Sequence, residues 1–541
     1  MKVYSGKGVF PGIAFGIAWL FKRQELSIDE SPSLSPKDEW ALFEAAKKQT
    51  DEELEALFEK TKAEIGEEDA NIIDVQRMIL EDGDFLEAVE DLIKNESCRA
   101  AHAVARAGKR FADFFASLED PYMKARSADM ADVSRRIVEL LLGKRESFVL
   151  HEPSVIVAED LSPSETLQLD KKLIRAFVTR RGSTNSHTAI LARTFKIPSL
   201  VQAEIPLDDS MNGKAMAVDG HGGAVYLEPD EETLSRLETR QRRDEDARRE
   251  LERMRGLPTV TRGGRKLELF GNIGGVEDIE AALNEDAEGI GLFRSEFLYL
   301  GREGPPGEEE QFNAYRRVAE RMGGKKVVIR TMDIGADKQA SWMGLEEEAN
   351  PALGYRAIRI CYDRPDLFRT QLRAIYRASA YGTIAVMFPM ITSLWELQQC
   401  RKTAEEVRRE LSDEGIRTGD VELGIMIETP AAALCAAELA READFFSVGT
   451  NDLTQYTLAI DRQNEKLARF MDPHHPALLR LLRMIVEGAH KAGIWAGICG
   501  ELAADPEMTE TLIEMGYDEL SVSPAFILET RKRIREMNIK A

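Results

Sequence analysis

One histidine stands between a polar turn and an apolar run. Residues 182–193 read GSTNSHTAILAR, so that His187 follows Gly, Ser, Thr and Asn and precedes apolar residues at helical spacing. This pattern predicts a helix that begins at His187, where free backbone N–H groups and the helix dipole favour a phosphate group. A histidine at such a place can accept a phosphoryl group on a ring nitrogen. A capping turn that holds a histidine by chance is the alternative for this motif taken by itself.

A second set of chemically capable residues stands at or shortly after the ends of apolar runs in the C-terminal half. Its members are Asn272, Arg294, Glu296, Arg330, Asp333, Lys338, Glu428, Asn451, Asp452, Arg462 and Cys499. Several cations at one place repel each other unless they share an anion, and arginine binds phosphate and carboxylate groups bidentately. The set therefore predicts a site for a phosphorylated carboxylic acid. The alternative is a salt-bridge network among Arg294, Glu296, Arg330 and Asp333.

Two carboxylates and one cysteine in this set have further possible roles. Glu428 and Asp452 would give two oxygen ligands from adjacent strands. This suits Mg²⁺, which takes one or two carboxylates and completes its octahedron with waters and substrate oxygens. Cys499 has two interpretations, since a cysteine that ends a buried strand is often a small core residue. At a site that faces a substrate it could instead donate a proton.

The elements that must position this set are eight apolar runs of strand length, which alternate with helical stretches after Pro258. They lie at 267–273, 289–293, 326–330, 384–390, 423–428, 445–448, 494–499 and 519–522. Eight such units in about 280 residues match a (β/α)8 barrel, whose active residues follow the carboxyl ends of the strands. A doubly wound open sheet is the alternative, but no GxGxxG motif opens the first unit.

The N-terminal half has a different pattern. Few strand signals occur between residues 37 and 143. One helix face there carries Leu54, Leu57, Phe58, Thr61 and Ile65, and this spacing predicts an α-helical subdomain. Strand-like runs at 154–158, 176–179 and 223–227 then predict a small α/β domain around His187, which includes the opening segment 1–30. The charge-dense stretch 231–255 is predicted to be a solvated helical linker.

Composition excludes several classes of protein. The formal net charge of −23 argues against a nucleic-acid partner. The five cysteines are scattered without a CxxC pair, which argues against a disulfide framework or zinc site and favours a reducing compartment. The apolar run 8–21 is too short to span a bilayer and lacks a cleavage site, so we expect no membrane insertion and a cytoplasmic protein. Residues 38–96 carry 20 acidic and 6 basic side chains, which indicates either solubility or a docking surface for a basic partner.

The chain resembles the PEP-utilising enzymes, and among them the enzyme I group of the sugar phosphotransferase system. The resemblance covers nearly the whole chain in seven ordered blocks: GSTNSHTAILAR, EGIGLFRSEFLY, RTMDIGADK, NPALGYRAIRI, FPMITS, GIMIETPAA and DFFSVGTNDLTQYTLAIDR. It implies a multidomain α/β fold: a swivelling phosphohistidine α/β domain with an inserted α-helical subdomain, followed by a C-terminal (β/α)8 TIM barrel. The expected segments are 1–30 and 146–230 for the phosphohistidine domain, 31–145 for the helical HPr-binding subdomain, 231–257 for the linker and 258–541 for the PEP-binding barrel.

The resemblance also implies a reaction. The phosphoryl group of phosphoenolpyruvate (PEP) passes to His187 and then to a histidine of the phosphocarrier protein HPr, and pyruvate is released. Mg²⁺ is the implied cofactor, and the protein is expected to form a homodimer through the barrel. The alternatives are the same chemistry that feeds a regulatory HPr-like carrier, and a non-catalytic phosphocarrier scaffold.

The resemblance assigns roles to individual residues. Glu428 and Asp452 hold the metal, Cys499 gives a proton to enolpyruvate, and His187 accepts the phosphoryl group. The implied substrate-binding residues are Arg294, Arg330 and Lys338 for the phosphoryl oxygens, Arg356 in an assisting role, and Asn451 and Arg462 for the carboxylate. Arg126 and Asp129 fall where the family places residues that interact with the active histidine. One departure precedes His187, where Asn185 replaces the threonine of the common family motif.

Overall fold

The computed structural model divides into two compact units, Met1–Ala247 and Arg248–Ala541. It describes the chain except residues 24–25, 32–34, 65–66, 119–120, 145–149, 163–164, 167–168, 183–186, 336–339 and 463. Side chains are also left undescribed at 63–64, 67–72, 121–125, 187, 190, 194, 465 and 468. The domain boundaries expected from the sequence stay predictions. None of the helices in the described part of the chain has both the length and the apolar character that a bilayer crossing requires.

The first unit contains one mixed sheet of eight strands. These are β1 Lys2–Ser5, β2 Lys7–Phe10, β3 Ile13–Phe21, β4 Ser154–Ala158, β5 Ile174–Thr179, β6 Ser199–Val201, β7 Ala215–Asp219 and β8 Ala224–Leu227. Their order is β1-β8-β7-β3-β4-β5-β6-β2, parallel from β3 to β6 and antiparallel at both ends. The opening segment thus supplies three strands of the sheet that surrounds the histidine motif, as predicted.

Five helices follow β3 and precede β4, so the helical subdomain is inserted between two neighbouring strands. They are α1 Pro36–Glu64, α2 Glu67–Leu80, α3 Gly83–Lys94, α4 Ala100–Ser117 and α5 Pro121–Leu142. Their shared core contains Phe43, Leu54, Phe85 and Val133, which are buried completely. Burial of one large apolar side chain contributes about 1.5–3 kcal/mol to the free energy of folding. These side chains therefore form a core that stabilises the helical subdomain.

Two more helices follow, α6 His187–Phe195 and α7 Glu231–Glu252. Helix α6 lies within the first unit, whereas α7 begins in it and ends a few residues beyond its boundary. Helix α7 is mostly exposed, but Leu237 is buried against Ile13 and Ala217, and the Gln241 side chain donates a hydrogen bond of 3.1 Å to the Ile13 carbonyl oxygen. The prediction of a solvated linker is therefore right for the helix and incomplete for its first half, which packs on the sheet. A single buried apolar residue and one hydrogen bond make this contact, which is easily missed among so many charges.

The second unit is a closed barrel of eight parallel strands. They are β9 Glu268–Ile273, β10 Ile290–Arg294, β11 Val327–Arg330, β12 Ile384–Phe388, β13 Val421–Ile427, β14 Phe445–Val448, β15 Trp495–Ile498 and β16 Glu519–Val522, and β16 closes on β9. The helices are α8 Ile279–Asn284, α9 Glu308–Arg321, α10 Ile358–Asp363, α11 Pro365–Ala378, α12 Leu394–Asp413, α13 Pro430–Leu434, α14 Ala436–Leu439, α15 Thr450–Leu458, α16 Pro476–Ala492, α17 Thr509–Met515 and α18 Ile527–Glu536. All eight predicted strands are confirmed, and the open-sheet alternative is excluded.

The barrel has an inner and an outer apolar core, as the alternation of side chains along each strand requires. Leu292, Val328, Met387 and Phe445 fill the lumen. Residues one position away on the same strands pack outward against the helices. Because apolar residues fill the lumen, polar side chains at the carboxyl ends of the strands collect at one mouth of the barrel.

Candidate active site

A cavity of about 900 Å³ opens at the carboxyl ends of the barrel strands. Eight of the residues predicted for the site line it: Arg294, Arg330, Arg356, Glu428, Asn451, Asp452, Arg462 and Cys499. Glu296, Asp333 and Asp461 also line it, so four arginines meet five carboxylates there. The cavity is large enough for a small substrate, and no excess of cations is built into its described walls.

Two of the arginines are fixed by carboxylates at the end of β11. Arg330 donates a hydrogen bond of 2.8 Å to Glu296 and forms an ion pair of 3.1 Å with Asp333. Arg356 binds both oxygens of Asp333 at 2.8 and 2.9 Å. All four side chains are buried. The salt-bridge alternative from the sequence is therefore present for Arg330, Glu296 and Asp333, and it extends to Arg356.

This network leaves some binding capacity at the cavity. The Nε of Arg330 is buried and has no hydrogen-bond partner among the described residues. Arg294, at the end of β10, is exposed, lines the cavity and belongs to no ion pair that the described part of the chain contains. The carboxylates hold Arg330 in place, and Arg294 beside the same cavity keeps its charge available. This arrangement suits the binding of an anion.

The two predicted metal ligands lie at the ends of adjacent strands. Glu428 follows β13 and is 1 % exposed, and its Oε1 accepts a hydrogen bond of 2.6 Å from the backbone N–H of Met390. Burial raises the pKa of Glu428, and the nearby charges of Asp452 and Asp333 raise it further. Asp452, on α15, is also buried, and its Oδ1 has no hydrogen-bond partner among the described residues.

The burial and the close approach of the Glu428 and Asp452 carboxylates fit a site for a bound cation. Two buried carboxylates that raise the cost of each other's charge are stabilised when a divalent ion sits between them. No cluster of three or more His, Cys, Asp or Glu side chains within the described residues is arranged to hold a metal. The donor set is therefore two carboxylates, which suits Mg²⁺, because this ion keeps several waters and substrate oxygens in its coordination shell.

Asn451 and Arg462 lie at the rim of the cavity. Asn451 exchanges two hydrogen bonds with Glu501, one of 3.0 Å from its side-chain amide and one of 3.1 Å to its side-chain oxygen. The Arg462 guanidinium lies 3.5 Å from Asp452 Oδ1. Arg462 thus lies between Asp452, a predicted metal ligand, and the open cavity, whereas the amide of Asn451 must exchange its partner before it can bind a substrate.

Cys499 closes the inner end of the cavity. It is 4 % exposed, belongs to the apolar cluster of the lumen, and its thiol donates to the Val448 carbonyl oxygen at 3.6 Å. Burial raises the pKa of Cys499 to about 12. The thiol is therefore a buried core group that keeps its proton and also faces the cavity, and its role as a proton donor stays a prediction.

This protonation predicts a reactivity pattern. At pH 8 we expect an alkylating reagent to modify the exposed Cys435 and to leave Cys499 unmodified. Because the thiolate is the reactive form, a pKa of about 12 leaves roughly one Cys499 thiol in ten thousand ionised at that pH. Peptide mass mapping of alkylated protein measures both sites, and urea-unfolded protein serves as the control in which both react. Equal rates at the two cysteines of the folded protein would show that Cys499 is not held as a buried thiol.

Helix α6 begins at His187, as the motif predicts. Its residue Leu191 joins the core of the helical subdomain, which also contains Met130 of α5. Asp129 is buried and Arg126 is half-buried on α5. The structure therefore packs the histidine helix against the core to which the helix with Arg126 and Asp129 contributes. The side chain of His187, the turn that contains Asn185, and Lys338 lie outside the described residues.

Two residues near the cavity, Met390 and Tyr456, have roles that the sequence did not reveal. Met390 has a φ of 58°, a left-handed conformation that is rare outside glycine, and this turns its N–H toward Glu428. The hydroxyl group of Tyr456 lies 3.4 Å from the Arg356 guanidinium and donates to the Ala352 carbonyl oxygen. The block FPMITS contains Met390, but no residue type signals a positive φ at a methionine.

Comparison with known proteins agrees with this geometry. Family models match as PEP-utilising enzyme, N-terminal (residues 5–126), PEP-utilising enzyme, mobile domain (150–223) and PEP-utilising enzyme, PEP-binding domain (248–539). Phosphoenolpyruvate-protein phosphotransferases from Priestia megaterium and Staphylococcus carnosus (strain TM300) are 41 % and 40 % identical over 540 residues, which is 99 % of this chain and 94 % of each relative. An NMR structure of an enzyme I protein covers 45 % of this chain and 99 % of its own, at 35 % identity and a TM-score of 0.39. The chain belongs to the PEP-utilising enzymes, in the group of the phosphoenolpyruvate-protein phosphotransferases.

Proposed function

We propose that this enzyme transfers the phosphoryl group of PEP to His187 and then to a histidine of HPr, as the first step of sugar uptake by a phosphotransferase system. The observation that carries the proposal is the cavity at the barrel mouth, which brings four arginines together with two carboxylates suited to a metal ion. Its inner end is closed by a protonated thiol. PEP carries a phosphate and a carboxylate group, which bind to cations. The enolate that remains after phosphoryl transfer needs a proton donor.

In this proposal the arginines bind PEP at both of its acidic ends. The phosphoryl oxygens bind to Arg294 and Arg330 with Lys338, and Arg356 assists; the carboxylate binds to Arg462 and Asn451. Within the described part of the chain Arg294 has no ion pair and Arg330 Nε has no hydrogen-bond partner, which supports the first assignment. Arg356 is already held by Asp333 at 2.8 Å, so its part is to keep that carboxylate away from the substrate. The arginines stabilise the charge that develops on the phosphoryl group during transfer.

The charge balance of the cavity favours a metal ion. Four arginines and five carboxylates line its described walls, so PEP, with a phosphate and a carboxylate group, meets no net attraction there. We assign Glu428 and Asp452 as the groups that hold Mg²⁺, supported by Asp452 Oδ1, which accepts no hydrogen bond from the described residues and has only an ion pair of 3.5 Å with Arg462. When bound, Mg²⁺ supplies positive charge that polarises the oxygens of PEP.

The remaining chemistry is proton transfer. Loss of the phosphoryl group to a ring nitrogen of His187 leaves the enolate of pyruvate. The thiol of Cys499 then protonates C3 of the enolate, and its high pKa means that the proton is present at neutral pH. Cys499 faces the cavity from its inner end, which supports this assignment.

The same proposal places HPr on the helical subdomain. Residues 38–96 carry the acidic excess, and the large apolar side chains of Leu42, Met78 and Phe114 are 55 %, 65 % and 57 % exposed on this subdomain. Exposed apolar side chains on an acidic subdomain are typical of a docking surface for a basic protein. We further propose a homodimer formed through the barrel and a cytoplasmic location; the five free cysteines support a reducing compartment.

The test is the intact mass of the protein after incubation with PEP. We expect a gain of one phosphoryl group that requires Mg²⁺, is prevented by EDTA, and is lost in acid but kept in alkali, as a phosphohistidine requires. Addition of HPr should return the mass to its starting value. A folded protein that gains no mass would contradict the proposed transfer.

A further inference from the structure

A polar pathway lies inside the barrel beneath Cys499. The strand register pairs Ser447 of β14 with Gly497 of β15, and Gly497 with Glu519 of β16. Gly497 has no side chain, and a Cβ placed on it would lie 1.9 Å from Glu519 Oε2. The carboxyl group of Glu519 therefore occupies the space above the glycine, between its own strand and the strand of Ser447.

Glu519 is a buried acid to which the reaction described above gives no part. It is 1 % exposed, and its Oε1 has no hydrogen-bond partner among the described residues. Burial raises the pKa of Glu519 well above its usual value, and Glu268 raises it further against the opposing effects of Ser521, the Ile498 backbone and Lys326. Burial therefore favours the protonated form of this carboxyl group.

The groups on either side of Glu519 link it to the cavity and to solvent. Above it, on the other side of Gly497, the hydroxyl group of Ser447 is buried and its Oγ has no hydrogen-bond partner among the described residues. The thiol of Cys499 donates to the Val448 carbonyl oxygen, and Ser447 lowers the pKa of this thiol against the rise that burial causes. On the far side, the register pairs Glu519 with Glu268, which is exposed at the opposite end of the barrel. Ser447, Glu519 and Glu268 thus form a row from the thiol to water.

We infer that Glu519 returns a proton to Cys499 through Ser447 after each turnover, an inference that rests on the function proposed above. In the forward reaction the S–H bond of Cys499 breaks, a C–H bond forms at C3 of the enolate, and sulfur keeps the electron pair. The Ser447 hydroxyl then gives its proton to the thiolate and takes one from the Glu519 carboxyl group. Water at the barrel floor restores the proton of Glu519 by way of Glu268. The net change is one proton taken from solvent for each pyruvate formed.

The test uses the exchange of label between PEP and pyruvate at equilibrium, with Mg²⁺ and the full-length enzyme. One sample carries carbon-14 in pyruvate, and a second carries deuterium in its methyl group. Carbon exchange counts the interconversions, whereas loss of deuterium to water counts how often the thiol exchanges its proton. In Glu519→Gln and in Ser447→Ala we expect the ratio of deuterium loss to carbon exchange to fall at least about tenfold, because the thiol returns the same deuteron to the substrate.

A matched control separates this role from a structural one. Glu288→Gln makes the same substitution outside the lumen, where the carboxylate accepts a hydrogen bond of 2.8 Å from the Leu269 N–H, and it should keep the wild-type ratio. A wild-type ratio in Glu519→Gln or Ser447→Ala would overturn the relay. Loss of carbon exchange in both variants with an unchanged melting temperature would also overturn the relay, because it would show that Glu519 and Ser447 support the structure of the site. Absence of carbon exchange in the wild-type enzyme would instead contradict the proposed function.

Discussion

Replacement of His187 by alanine abolishes the gain of mass that PEP and Mg²⁺ produce in the wild-type protein. His187 begins α6, and its ring is the proposed acceptor, so alanine removes the nucleophile itself. PEP binding should survive, because the described residues assigned to it lie in the barrel unit. Intact-mass measurement gives the phosphorylation result, and calorimetric titration with PEP in the presence of Mg²⁺ gives the binding result.

The matched control is His221→Ala in the same unit. His221 forms a pair of 3.0 Å with Asp244 and is remote in sequence from the motif. We expect this variant to take up one phosphoryl group as the wild-type protein does. Phosphorylation of His187→Ala to the wild-type level would show that another side chain is the acceptor. Equal loss in both variants would point to damage of the unit rather than to a missing nucleophile.

Replacement of Glu428 by glutamine should lower kcat/KM for PEP by about a hundredfold or more, on the scale of removing one electrostatic group from a transition-state site. Glutamine keeps an oxygen that can accept the Met390 N–H, so the local backbone contact is preserved. It removes one of the two charges assigned to the metal ion. The concentration of Mg²⁺ needed for half-maximal rate should therefore rise, which steady-state assays over a range of Mg²⁺ would measure.

The melting temperature distinguishes this effect from unfolding. Burial opposes the charge of Glu428, so an uncharged glutamine should leave the melting temperature unchanged or raise it. Glu422→Gln serves as the control, because Glu422 stands at the other end of the same strand and pairs with Lys326 at 2.8 Å. It should keep the wild-type Mg²⁺ requirement. If Glu428→Gln kept both its kcat/KM and its Mg²⁺ requirement, Glu428 would not be a metal ligand.

Much of the barrel and its site follows from local sequence. Several strands are short apolar runs that lead directly into a charged or polar residue, as at Arg294, Arg330 and Glu428, and closed parallel barrels bring all strand ends of this kind to one mouth. Eight runs therefore predict both the fold and the meeting of Arg330, Glu428 and Asp452, which the cavity confirms. The start of α6 at His187 follows in the same way from a polar turn before an apolar run.

Side-chain partners could not be read from the sequence. The sequence leaves an ion-pair network and an anion site as alternatives for Arg330, but the structure makes the residue part of a network and leaves its Nε without a hydrogen-bond partner among the described residues. The partial docking of α7 was missed, since it depends on Leu237 and on a carbonyl group that lies far away in the chain. Such contacts depend on distances that no local pattern encodes.

By itself the sequence determined which residues are candidates for the chemistry and which strand ends present them, because residue type, hydrophobic period and strand order act locally. Only the tertiary structure decided their electrostatic state. Burial and cross-strand register set the protonated thiol of Cys499, the mutual repulsion of Glu428 and Asp452, and the row from Ser447 through Gly497 to Glu519. Desolvation and pair distances arise from closure of the barrel, which brings together residues more than two hundred positions apart, as Asn272 and Ser521 show at 2.7 Å.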